Sequence, residues 1–214
     1  MKKYVAELIG TYALVFCGTG AIVMNEVSNG TVGHLGIAIT FGLIVMVMIY
    51  SLGSISGAHI NPAVTIGFAM TDRFDKRDLL PYIIMQLLGA FLASATLYFL
   101  FPSVTTLGAT LPNGSWQQSF VLEIILTYFL MFVILFVSQN KEVTQFTGFA
   151  VGATVLIEAL FAGPITGASM NPARSIAPAV LSGDISILWI YIAAPIIGAV
   201  LATLTWMIMV KQSA

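Results

Sequence analysis

The sequence predicts an all-α membrane protein with six transmembrane helices plus two re-entrant half-helices in an inverted repeat. Three observations lead there. Hydrophobic residues make up 58% of the chain and charged residues 8%, too apolar a balance for the surface of a soluble domain of this length. Six stretches are apolar over the roughly 20 residues that a helix needs to cross a bilayer. An eleven-residue segment, Ser56-Gly57-Ala58-His59-Ile60-Asn61-Pro62-Ala63-Val64-Thr65-Ile66, returns 110 residues later as Thr166-Gly167-Ala168-Ser169-Met170-Asn171-Pro172-Ala173-Arg174-Ser175-Ile176, with six positions identical.

The spanning stretches fall at roughly 4–24, 34–53, 79–101, 116–138, 145–163 and 187–210. Lys2 and Lys3 ahead of the first one imitate a signal peptide, but Glu7 interrupts the run and no Ala-x-Ala site closes it, so a retained first helix is expected. Two shorter apolar stretches, about 61–70 and 171–181, follow the repeated segments. They are too short to span and fit half-helices that enter the membrane and turn back, which is tolerated only where backbone is buried in protein or lines a cavity.

The repeat extends beyond the eleven residues. Glu7-Leu8-Ile9-Gly10-Thr11-Tyr12 in the first helix matches Glu123-Ile124-Ile125-Leu126-Thr127-Tyr128 in the fourth. One domain, 1–214, is expected, with a first repeat of about 1–106 and a second of about 115–214. Each half holds three spans, an odd number, so the second copy enters from the opposite side and the half-helices meet near the midplane. Lys2, Lys3, Arg73, Lys76, Arg77, Lys141 and Lys211 all fall on one side of this path, which places both termini in the cytoplasm. Only Arg174 lies off that side. The sequons at Asn29 and Asn113 fall outside and are read as chance matches, and Gly148-x-x-x-Gly152 is read as a place of close helix packing.

Composition also removes classes of function. A net charge of −1 offers no basic field for nucleic acid, and one cysteine with two histidines gives neither a disulfide nor a metal cluster. No nucleophile and base pair stands out, so an enzyme is the weakest reading, and no cofactor or metal is expected.

Asn followed by Pro is a good helix start: Asn caps with its side-chain oxygen, and Pro at the first helical position gives up an N–H that had no partner. Asn61-Pro62-Ala63 and Asn171-Pro172-Ala173 would then cap facing half-helices and leave amide NH2 groups to donate to a passing water or hydroxyl. Each helix N-terminus acts as about half a positive charge, so two converging ones repel cations. Arg174, about one turn into the second half-helix, is costly in a membrane and is a functional candidate by default, with a structural ion pair as the alternative. Glu7 and Glu123 are either proton-relay carboxylates or, as preferred, buried acceptors for the N–H groups of the re-entrant loops. Glu158 has no counterpart in the first repeat. His59 is a pore-lining or packing residue, with a pH gate as the alternative. Cys17 is read as a small packing residue, and His34 is assigned nothing.

The paired Asn-Pro-Ala boxes, the second running on into Arg174, resemble the aquaporin (major intrinsic protein) family of membrane channels over nearly the whole chain. That resemblance implies a narrow filter formed by Phe41, Ala159, Ala168 and Arg174, and a homotetramer with one pore per subunit in the plasma or inner membrane. Strict water channels of the family usually hold histidine where this chain has Ala159. Two alanines opposite Phe41 and Arg174 imply a wider, half-apolar constriction. The runs Val45–Ser51 and Gly163–Met170 look most like the nodulin-like intrinsic branch, whose members pass glycerol, urea and uncharged metalloid hydroxides. Glycerol facilitators proper usually carry aspartate where Ser175 stands. The expected function is passive passage of water and small uncharged solutes, with ions and protons excluded. A strict water channel, a secondary active transporter and a closed-pore junction protein are the alternatives.

Overall fold

A computed structural model describes residues 1–211; the last three positions of the second repeat, and the side chain of Lys211, lie outside the described residues. The described chain forms α1 (Lys2–Val27), α2 (Gly33–Ser56), α3 (Pro62–Ala69), α4 (Leu79–Leu100), α5 (Trp116–Gln139), α6 (Thr147–Thr166), α7 (Pro172–Ser182) and α8 (Leu188–Lys211). Six of these are long and apolar enough to cross a membrane, and α3 and α7 are the short pair. In the first half α1 packs on α2 and α4, in the second α5 packs on α6 and α8, and α2 against α6 joins the halves. The short helices cross over: α3 lies on α8 as well as α4, and α7 on α4 as well as α8. Large apolar side chains such as Ile84, Phe99, Phe129, Phe161 and Ile208 remain on the outer surface. This is the pattern of a lipid-facing exterior.

Helix boundaries differ most from the apolar stretches, by three residues, at the C-terminal ends of α1, α2 and α6. Helices α2 and α6 run three residues further, through Ser56 and Thr166, before Gly57 (φ 85°) and Gly167 (φ 82°) end them in the left-handed conformation. Hydropathy stops short of these turns because Ser54 and Ser56 in one, and Pro164 and Thr166 in the other, break the apolar run, yet Ser56 and Thr166 are satisfied inside the protein. Tyr82 Oη donates to Ser56 O at 2.8 Å, and Tyr191 Oη donates to Thr166 O at 2.7 Å. At the other end of the first span, Lys2 and Lys3 are already helical, with Lys3 paired to Asp78 and Tyr4 Oη donating to Asp78 Oδ1 at 2.7 Å.

Without a hydrophobic drive between helices in lipid, close backbone approach has to supply the association, and small residues permit it. A Cβ on Gly89 would stand 2.3 Å from Leu8 O, and one on Gly198 would stand 2.4 Å from Ile124 O. These are matching contacts in the α1–α4 and α5–α8 pairs. Where the halves meet, Gly42 and Gly152 each place a Cβ site 2.6 Å from the other's carbonyl oxygen. Gly148 faces the Tyr50 ring one turn away, so the Gly148-x-x-x-Gly152 pair does sit at the α2–α6 contact. Gly89→Ala is therefore expected to push α1 from α4 and cost about 1–3 kcal/mol, the usual range for overpacking. A lower thermal unfolding midpoint of the detergent-solubilised protein, followed by circular dichroism, checks it; an unchanged midpoint would mean that the contact can relax.

Candidate functional site

The two repeated segments form matching loops, 57–61 and 167–171, that end at the N-termini of α3 and α7. Each loop alternates through left-handed residues: Gly57, Ala58 (φ 48°) and Ile60 (φ 44°) in one, Gly167, Ala168 (φ 42°) and Met170 (φ 53°) in the other. Non-glycine residues pay for this conformation, so something must hold it in place. Two fully buried carboxylates do so. Glu7 accepts hydrogen bonds from Ser56 Oγ (2.7 Å), His59 N (3.0 Å), Ile60 N (2.7 Å) and Gln86 Nε2 (2.7 Å). Glu123 accepts from Thr166 Oγ1 (2.7 Å), Ser169 N (2.8 Å) and Met170 N (2.8 Å).

Asn61 and Asn171 cap the half-helices. Asn61 Oδ1 accepts from Ala63 N at 2.9 Å, and Asn171 Oδ1 accepts from Ala173 N at 3.0 Å and Arg174 N at 3.4 Å. Pro62 and Pro172 occupy the first helical positions. The amide groups are less free than the sequence suggested. Asn61 Nδ2 donates to Met170 O at 2.8 Å, and Asn171 Nδ2 donates to Ile60 O at 2.9 Å, so each asparagine braces the opposite loop. An amide NH2 has two hydrogens, and one on each asparagine remains for the lumen. Ala63 and Ala173 are fully buried, against Met131 and Ala202 around α3 and against Val15, Ala90 and Ala93 around α7.

A narrow cavity of about 100 Å³ runs past both asparagines, and Phe41, Ala159, Ala168 and Arg174 all line it. Arg174 is 2% exposed, donates from Nη1 to Gly108 O at 2.7 Å and lies 5.0 Å from the centroid of the Phe41 ring. A cation over an aromatic face is an attractive contact. Gly18 makes room for that ring: a Cβ there would lie 2.2 Å from Phe41 Cε1. Val151, Val155 and Ala159 extend the lining along α6 at four-residue spacing, so the α6 wall is apolar between Thr147 and the filter candidates. At its other end the cavity shares His59, Phe68 and Ser138 with a vestibule of about 630 Å³ that also touches Lys3, Arg73 and Asp78.

The remaining candidates fall beside this axis. Glu158 is buried one residue from Ala159 but does not reach the cavity; its Oε2 has no hydrogen-bond partner, and its electrostatic neighbour is Glu123 rather than Arg174. His59 lines the cavity while stacked on Phe68 (4.5 Å, 11°), with Nδ1 3.2 Å from Thr65 Oγ1. Cys17 is half-buried, and His34 Nε2 lies 2.7 Å from Leu160 O. Sequence reasoning missed the Gly108 carbonyl, Gly18 and Gln86. The segment that carries Gly108 has no periodicity to read, and the other two become visible only when the helices are packed.

The sequence profile described as Major intrinsic protein matches residues 1–206. The chain belongs to the major intrinsic protein family. Aquaporin NIP1-1 of Zea mays is 50% identical over 202 residues, covering 94% of this chain and 72% of the maize protein. Nodulin-26 of Glycine max is 48% identical over 202 residues, covering 94% of this chain and 74% of the soybean protein. Among solved structures, the aquaglyceroporin from Plasmodium falciparum superposes with a TM-score of 0.87 at 29% identity, covering 96% of this chain and 94% of that one. This member of the family is accordingly a multi-pass membrane channel for water and small solutes that works passively, not an enzyme.

Glu123→Leu is expected to leave the Ser169 and Met170 N–H groups buried without acceptors, at about 1–3 kcal/mol each. Folded yield and water permeability should fall together, measured by size-exclusion chromatography and vesicle shrinkage. Normal permeability in a folded Glu123→Leu protein would mean that the loop holds its shape without the carboxylate.

Proposed function

We propose that the channel passes water in single file together with neutral solutes of about glycerol size, and that it excludes ions and protons. The observation that carries this is the lining at Arg174: two alanines, Ala159 and Ala168, with Phe41 complete the ring. A methyl group at position 159 leaves the width and the apolar wall that a carbon-backed polyol uses, while Arg174 offers guanidinium donors to its oxygens. Urea and uncharged metalloid hydroxides share that chemistry. The relatives' names, aquaporin and aquaglyceroporin, support the same range. Cation exclusion rests on Arg174 and on the N-termini of α3 and α7, each acting as about half a positive charge and both directed at the asparagine pair. Water oxygens turned toward Asn61 and Asn171 cannot at the same time relay a proton between them.

Phe41, Ala159, Ala168 and Arg174 form the selectivity filter in this reading, and the Asn-Pro-Ala boxes form the proton barrier. The protein resides in a plasma or inner membrane as a homotetramer with one pore per subunit. Both termini face the cytoplasm, which puts the vestibule with Lys3 and Arg73 on the inside.

Stopped-flow light scattering on proteoliposomes tests this with an impermeant osmolyte and with glycerol as parallel gradients. Fast shrinkage followed by fast glycerol re-swelling is the expected result. Fast water flux without glycerol uptake would instead establish a strict water channel, and solute flux that follows an ion or proton gradient would establish a transporter. Ala159→His should cut glycerol flux at least about tenfold, the lower end of what one added steric group does in a pocket, while water flux changes much less. Equal loss of both would remove Ala159 from the constriction.

A further inference from the structure

The segment between α4 and α5 holds neither helix nor strand, yet it docks on the filter at four points. Gly108 O takes the hydrogen bond from Arg174 Nη1, and the left-handed pair Leu107 (φ 49°) and Gly108 (φ 68°) lies with the Gly108 α-carbon close on α1, where a Cβ on Gly108 would be 3.0 Å from Thr19 O. Asn113 donates from its backbone N to Ile165 O at 2.9 Å and from Nδ2 to Pro164 O at 3.2 Å, fastening the segment to the end of α6. The fourth point is Thr110. Its Oγ1 donates to Ser175 Oγ at 2.8 Å, Ser175 and Ser169 Oγ are 2.5 Å apart, and Ser169 Oγ donates to Asn171 O at 3.0 Å. All three hydroxyl residues are buried.

The bond to Asn171 O uses the Ser169 proton, and the bond from Thr110 fills an acceptor site on Ser175, so Ser175 donates to Ser169. Each hydroxyl then donates once, and Ser175 and Ser169 each also accept, in a chain directed from the outer segment to the asparagine of the second box. We infer that Thr110 is a positioning residue for selectivity: through Ser175 it fixes the segment whose Gly108 carbonyl orients Arg174, and so limits the size of solute admitted. This rests on the solute-channel reading above. Removing the Thr110 hydroxyl leaves the Ser175–Ser169–Asn171 bonds intact, so the fold is retained while the segment that carries Gly108 loses its tie to α7. A guanidinium with a looser anchor sweeps a wider aperture, and larger polyols gain most from that.

The test compares wild type with Thr110→Val, which keeps the side chain's shape without its hydroxyl, and Thr110→Ser, which restores the donor. Proteoliposome permeabilities to water, glycerol and erythritol are measured for each. For Thr110→Val the erythritol-to-glycerol ratio should rise about two- to tenfold, the effect of one net hydrogen bond, with water flux nearly unchanged; Thr110→Ser should return the ratio to the wild-type value. Ser175→Ala removes the receiving hydroxyl and should shift the ratio in the same direction, which keeps the question open to measurement should Thr110→Val not fold. An unchanged ratio in folded Thr110→Val and Ser175→Ala, or a uniform fall in all three fluxes that Thr110→Ser does not reverse, would overturn the assignment. Wild-type vesicles no more permeable to glycerol than protein-free ones would overturn the solute-channel reading itself.

Discussion

Everything at the centre of this protein depends on two carboxylates meeting the hydrogen-bond demand of non-helical backbone at membrane depth. Two loops meet there, and each buried N–H donor that faces away from the lumen would cost several kcal/mol if left alone. Glu7 and Glu123 take two loop N–H groups apiece and the hydroxyl that ends the preceding helix. Strained left-handed residues at Ala58, Ile60, Ala168 and Met170 persist because these bonds over-determine the loops. The asparagine amides are aimed by the same bonds, since Ile60 O and Met170 O, which receive them, belong to the residues the carboxylates hold.

The repeat makes the scaffold symmetric and leaves the lining asymmetric. Tyr82 and Tyr191, Gly89 and Gly198, and Glu7 and Glu123 play matching parts in the two halves. Along the bore the copies diverge: Val64 of α3 corresponds to Arg174 of α7, and His59 to Ser169. Mutual bracing needs like parts, whereas a path that discriminates among solutes needs one cationic wall and one apolar wall. Gln86, a fourth donor to Glu7, has no equivalent beside Glu123, where the corresponding place falls to Pro195 and the nearby carboxyl is Glu158.

Much of this was legible in the residues. Length and apolarity located the six spans, and the odd number of spans per repeat gave the inversion. The Asn-Pro pairs marked two helix starts that are capped by side-chain oxygens. What stayed hidden was whatever depends on two distant segments meeting. The polar last turns of α2 and α6 look like loop until Tyr82, Tyr191 and the two glutamates are seen to satisfy them. The crossed asparagine bonds exist only once both loops face each other. Gly108 reaches Arg174 through a backbone carbonyl, a group that every residue carries and that no sequence pattern marks.

A polyol presents hydroxyls on one side and carbon on the other, and the cavity repeats that division. Arg174, Asn61 and Asn171 supply donors, while Phe41, Val151, Val155, Ala159 and Ala168 supply hydrocarbon. Leaving water costs a hydroxyl its hydrogen bonds, and only replacement donors at the right spacing recover them. An apolar solute loses nothing but gains no donor contact, and an ion loses a hydration shell that one polar wall cannot rebuild. Discrimination then depends less on the number of donors than on how firmly they are placed. In the solute-channel reading, that makes the outer segment, whose Gly108 carbonyl accepts from Arg174, as much a part of the filter's chemistry as the side chains that line it.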